Sequence, residues 1–214
     1  MENKFKISFA VILILAIIGC QNIDKKEKES VQKEIALFQM EFGKGKTQNE
    51  SLGVELNTKK FNNWNDVVER AGNIVCNDSI PKITLTTDNE IKTIYFSNSC
   101  LEEGAIRLIK LKNVIGICNN KIRKNNENDI PLDRLESVLK KDIENNGEKS
   151  ELSESPEKLM ICIQFDDKNE FENLPNILKQ LTATYYRITN RTDLKILLVD
   201  ENYFSPPSMP KAKI

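Results

Sequence analysis

The chain has 214 residues, with 31 Lys plus Arg against 32 Asp plus Glu and a net charge of −1. Charge so balanced provides no long-range field to draw in nucleic acid or an anionic surface. Histidine is absent, which excludes Ser-His-Asp and Cys-His catalysis, His-containing zinc sites and the commonest general acid/base near neutral pH.

Lys4 and Lys6 lead into Ile7–Gly19, an uncharged run of 13 apolar and small residues. A spanning helix needs about 20 residues, so this length suits the hydrophobic region of a secretory signal instead. The run ends in Ile17-Ile18-Gly19-Cys20, which resembles the lipobox of bacterial lipoproteins. The resemblance implies cleavage after Gly19 and diacylglycerol on the Cys20 thiol, with several acyl chains holding the chain at a membrane. The alternative is an uncleaved signal anchor with a bystander cysteine. Gln21, where Asp would retain a lipoprotein at the inner membrane in enterobacterial sorting, favours the outer membrane. It leaves the periplasmic or surface side open.

Residues 20–30 read as a charged tether, too poor in apolar groups to pack. A partly helical N-terminal extension is expected over 31–79. Val31, Ile35, Phe38 and Phe42 have helical spacing, with Ser30 as a cap and Glu34 near it. Residues 43–53 read as a loop. Trp64, Val67, Val68 and Ala71 define a second short helix over 61–75, which Gly72 would stop.

From Ile80 the pattern turns to strands. Ile83–Thr87 and Ile91–Ser97 are rich in β-branched and aromatic residues, and "TDNE" between them predicts a hairpin. Residues 105–123 hold one or two more strands, and 124–129 are a polar break. "IPLDRLESVLKKDIENNG" (130–147) predicts a helix with Pro131 at its first position. Its apolar stripe is Leu132, Leu135, Val138, Leu139 and Ile143, and Gly147 is its stop. "KLMICIQF" (158–165) and "LKILLV" (194–199) read as buried strands. Between them, 171–188 form a second amphipathic helix with Pro175 in its first turn. Three prolines within 205–214 predict a disordered tail.

The expected fold class is therefore α/β (α+β), in ββ(β)αβαβ order over 80–204. It is a two-layer mixed sheet with two amphipathic helices on one face, preceded by the signal peptide and the short helical region. "IPLDRLESVLKKDI", "LMICIQFDDKNEF" and "LKILLV" together resemble the periplasmic domain of the ExbD/TolR family, over a little more than half of the chain. These are small subunits of proton-driven energisers of the cell envelope. The resemblance implies contact with envelope proteins or peptidoglycan, and a homodimer formed by pairing of sheet edges. The family's proton coupling needs an intramembrane carboxylate, and Ile7–Gly19 contains neither Asp nor Glu. Proton coupling is therefore not expected here.

Beyond Cys20 there are Cys76, Cys100, Cys118 and Cys162. No CxxC spacing or histidine points to a metal. Cys118 and Cys162, within "IGICN" and "MICIQ", read as small core residues. Cys76 and Cys100 flank loops and are the candidate disulfide pair, with free thiols left equally open. Asp166-Asp167 could bind a cation or serve as an acid/base pair, and a turn or helix cap is the commoner role. No cofactor motif is present. Three readings follow: a non-catalytic envelope-binding module, a surface-exposed ligand-capture lipoprotein, and a His-independent carboxylate or Cys enzyme.

Overall fold

The computed structural model describes residues 37–44, 52–87, 89–100, 109–124, 129–166 and 171–200. The expected signal, tether and tail lie outside them, as do Cys20 and Asp167. One compact unit begins at Phe38; Met1–Leu37 is a second unit, of which only Leu37 is described.

The elements are β1 (Phe38–Phe42), β2 (Gly53–Glu55), α1 (Trp64–Cys76), β3 (Ile80–Thr86), β4 (Glu90–Tyr95), β5 (Val114–Cys118), β6 (Lys121–Arg123) and β7 (Ile130–Pro131). They continue with α2 (Leu135–Glu144), β8 (Met160–Gln164), α3 (Leu174–Thr189) and β9 (Lys195–Leu198). The mixed α/β character is as the sequence implies. The single mixed sheet is not: there are two sheets, one in the order β1-β4-β3-β2 and one in the order β7-β6-β5-β8-β9. The extra sheet arises because residues upstream of Ile80 pair with the β3–β4 hairpin. β1 lies parallel to β4, and β2 parallel to β3.

Three local expectations need correction. Phe38–Phe42 is a strand, not the end of a helix. Its Phe38, Met40 and Phe42 alternate, and a Phe pair four apart fits both the strand and the helix period. Gly72 does not stop α1. A glycine costs a helix about 1 kcal/mol, and the buried stripe of Trp64, Val67, Val68, Ala71 and Ile74 carries the helix through it. The chain turns only at Asp78, whose φ is 52°. Pro131 does not begin a helix. It lies in the two-residue edge strand β7, where its missing N–H is harmless, and a 3₁₀ turn at Leu132–Arg134 leads into α2.

The second sheet is built from βαβ units. β5, β8 and β9 are parallel, and α2 and α3 cross between them. Ile115, Ile117, Ile161, Ile163, Ile196 and Leu198 meet the helices in the main core, with Leu135 and Leu139 of α2 and Leu174 to Tyr185 of α3. The opposite face carries a smaller cluster of Val114, Met160, Cys162, Leu197 and Val199. Burial of both faces explains why these strands read as unbroken apolar runs. β5 turns into β6 through Asn119 and Asn120, at φ 48° and 62°. Asparagine tolerates that left-handed pair, and it fits a two-residue hairpin turn.

Two tie points join the parts. Trp64 donates its indole N–H to the Val199 carbonyl at 2.7 Å and packs edge-on to Phe165 at 4.9 Å. Gly43, with φ +76°, follows β1 and donates its N–H to the Thr192 carbonyl at 2.8 Å; a Cβ there would overlap the Tyr95 carbonyl oxygen.

A disulfide joins Cys76, at the end of α1, to Cys100, with Cα atoms 4.7 Å apart. It holds the segment after β4, where Ser97 N–H donates to the Ile196 carbonyl at 2.7 Å and Asn98 bonds both ways with the Leu198 backbone. The bridge closes a loop with a sequence separation of 24, a constraint on the unfolded chain of roughly 3 kcal/mol. A Cys76→Ser/Cys100→Ser variant is expected to lose about that much in urea unfolding. Dithiothreitol is expected to lower the parent to the same midpoint and leave the variant unmoved; equal midpoints for oxidised parent and variant would refute this.

Candidate functional site

A groove of about 460 Å³ lies beside β3. It exists because β2 stops early. β2 pairs with β3 over three residues, and Leu56 N–H adds one last bond to the Lys82 carbonyl at 2.7 Å. The Leu56 side chain is then drawn into the core, and the chain leaves the sheet through a 3₁₀ turn at Thr58–Lys60. β3 continues alone on that side to Thr86. The slot left open is lined by Asn57, Thr58 and Lys59 of the departing chain, by the second half of β3, and by Asn176 and Lys179 of α3.

Glu55 stays inside the groove and is already engaged. One carboxylate oxygen accepts from Thr84 N–H at 2.8 Å and the other from the Thr84 hydroxyl at 3.0 Å. Lys59 and Lys179 have no ion-pair partner among the described residues. The groove thus offers hydroxyls, an amide and two ammonium groups over an apolar base that includes Ile83 and Leu85. Its size is within the ordinary range for a ligand site, about 300–1,000 Å³.

Asp166 lies elsewhere, where β8 ends. One of its oxygens accepts from the Asn119 amide at 2.7 Å and the other from the Gln164 amide at 2.9 Å, and its own N–H donates to Asn119 Oδ1 at 2.9 Å. These bonds fasten the β5–β6 turn to the end of β8. The amide chain runs on: Asn173 donates to Asn120 at 2.7 Å, and Asn176 donates to Asn173 at 2.8 Å. Asn176 is also a groove residue, so the turn helps to set that wall.

Cys118 and Cys162 are buried, form no disulfide, and point to the same face of neighbouring strands, with Gly116 opposite Cys162 and Cys118 opposite Gln164. Burial pushes the Cys118 thiol up to about 11. At pH 8 roughly one thiol in a thousand is then ionised, and the thiolate is the nucleophile. Cys118 is therefore expected to resist iodoacetamide at pH 8 until urea unfolds the protein, as read by mass spectrometry; rapid native labelling would contradict this.

Among the described residues no group of three or more Cys, Asp or Glu side chains is placed to hold a metal ion, and no helix is long and apolar enough to cross a membrane. Nothing in the sequence singles out Thr84, Thr86, Lys59 or Lys179. The alternation in "ITLTT" signals an exposed Thr face, but nothing near it signals an open edge. No protein-family model, curated protein or solved structure matches this chain.

Proposed function

We propose that this chain is a lipid-anchored envelope protein whose α/β unit is a non-catalytic binding module, similar to the periplasmic modules of the ExbD/TolR family but without proton coupling. It is anchored through Cys20, with the outer membrane favoured, and contacts partner envelope proteins or the cell wall. The groove beside β3 carries this reading. It combines an apolar base, neutral hydrogen-bonding groups and two lysines, as a recognition surface does. Of the groups an enzyme reading would use, Asp166 and Cys118 are engaged or buried, and Asp167 lies outside the described residues. Both Asp166 oxygens accept amide hydrogen bonds, and the Cys118 thiol is held protonated. The groove volume also suits a small ligand, which keeps surface ligand capture as the second reading.

The test is photo-crosslinking in intact cells with a benzophenone side chain at Asn176, and at Lys140 on the exposed side of α2 as control. A discrete adduct to an envelope protein or wall glycan is expected from position 176 alone. Adducts from neither position, or equally from both, would overturn the module reading. Cys20→Ser is expected to abolish acyl labelling and release the protein from the membrane; unchanged retention would mean an uncleaved anchor.

A further inference from the structure

Beyond Lys82, β3 presents a strand edge with no neighbouring strand among the described residues. Backbone groups alternate in direction along a strand. The Pro81 carbonyl accepts from Phe96 N–H at 2.9 Å, and Thr87 N–H donates to the Glu90 carbonyl at 2.9 Å. Both bonds lie on the β4 side. The odd-numbered residues of β3 therefore turn their backbone groups to β4, and Lys82, Thr84 and Thr86 turn theirs to the groove. Lys82 is used by Leu56, and Thr84 N–H is used by Glu55. The Thr84 carbonyl and both backbone groups of Thr86 have no hydrogen-bond partner among the described residues. An edge of this kind is a template for a further strand.

The rim adds a charge preference. Lys59 comes from the departing chain and Lys179 from α3, so the two cations belong to different elements lining the slot. Glu55, the acid that lines it, spends both oxygens on Thr84. A second copy docked edge to edge would bring four lysines together, which disfavours self-association here. A glycan has no row of N–H and C=O groups to complete the edge.

We propose that the groove takes an extended acidic segment of a partner protein, added as a strand along Thr84–Thr86. The proposal rests on the binding-module reading and names its ligand. In this mode main-chain bonds supply affinity and alternate side chains supply specificity. The segment's Asp or Glu side chains meet Lys59 and Lys179, and its backbone meets the Thr84 carbonyl and Thr86 N–H. The place it takes is the one β2 would occupy if it did not leave the sheet at Leu56.

The experiment pans a displayed library of random twelve-residue peptides against the full chain in detergent micelles. Recovered sequences are then synthesised for fluorescence anisotropy. Enrichment of Asp and Glu around a proline-free core is expected. Thr86→Pro is expected to weaken binding at least tenfold with little change in melting temperature, because that N–H carries no ladder bond and proline is tolerated on a strand edge. A Lys59→Glu/Lys179→Glu variant is expected to turn the selection towards Lys and Arg. N-methylation at alternate amides of the peptide is expected to abolish binding to the unaltered protein, a readout independent of whether any variant folds. Peptides that are not acidic, or that bind equally well when N-methylated, would overturn the proposal, as would a failure to enrich any. A wall-glycan adduct at Asn176 without peptide enrichment would sink this inference and leave the module reading standing; no adduct and no enrichment would sink both.

Discussion

Trp64→Ala is expected to destabilise the protein by about 4–6 kcal/mol, the largest effect of any single truncation considered. Trp64 is buried between α1, the exit of β8 and the end of β9. It packs edge-on to Phe165 at 4.9 Å, tilts against Phe171 at 6.3 Å, and donates to the Val199 carbonyl at 2.7 Å. Truncation removes a large apolar surface, leaves a cavity that neighbouring strands cannot fill, and strands a carbonyl. A domain of this size has about 5–15 kcal/mol in total, so the variant is expected to be partly unfolded at room temperature. Trp64→Phe keeps much of the packing and loses the N–H, for roughly 1–3 kcal/mol. Trp64 is the sole tryptophan, so urea unfolding is followed by far-ultraviolet circular dichroism rather than fluorescence. A Trp64→Ala midpoint equal to that of the parent would show that α1 is not held through this ring.

Lys124→Met is expected to cost about 3–5 kcal/mol. Lys124 and Asp142 form a pair at 2.6 Å whose side chains are 4% and 1% exposed. The ammonium also donates to the Lys112 carbonyl at 2.5 Å, and the same Asp142 oxygen accepts from Ser153 N–H at 2.9 Å. Asp142 Oδ2 is buried with no hydrogen-bond partner. The carboxylate thus depends on one cation, and removing that cation leaves a buried charge uncompensated. Lys124→Met/Asp142→Leu removes both charges but leaves Ser153 N–H without its acceptor, a loss of about 1–3 kcal/mol. The double variant is therefore expected to be more stable than Lys124→Met alone, by urea midpoint. Additive losses would show that the two groups do not act as a pair.

The helices were legible because their stripes are long. Leu135 and Leu139 of α2, and Leu174, Ile177, Leu178, Leu181 and Tyr185 of α3, are buried as their spacing implies. The buried strands Met160–Gln164 and Lys195–Leu198 were legible as short apolar runs closed by polar residues. What failed depended on partners far along the chain. Phe38–Phe42 is a strand because β4 lies beside it, and "GVE" is too short to announce itself. The groove had the same difficulty. Thr84 and Thr86 read as an exposed strand face, but their open edge is set by where β2 ends, and Glu55 meets Thr84 across 29 positions of sequence. The role of Asp166 needed the turn residue Asn119, 47 positions away.

The order of the second sheet has a consequence for where ligands can bind. In open sheets of parallel strands, the crevice that takes a nucleotide forms where successive crossovers depart in opposite directions. Here β5, β8 and β9 advance in one direction across the sheet, and α2 and α3 contact one another, as in the ion pair between Glu136 and Arg187 at 2.7 Å. Among the described residues there is no reversal and hence no topological switch point, and the ends of β5 and β8 are laced together by Asn119 and Asp166. Among the described residues the βαβ units thus form no crevice of the kind in which such folds usually hold small molecules, and the groove proposed above lies at the other sheet.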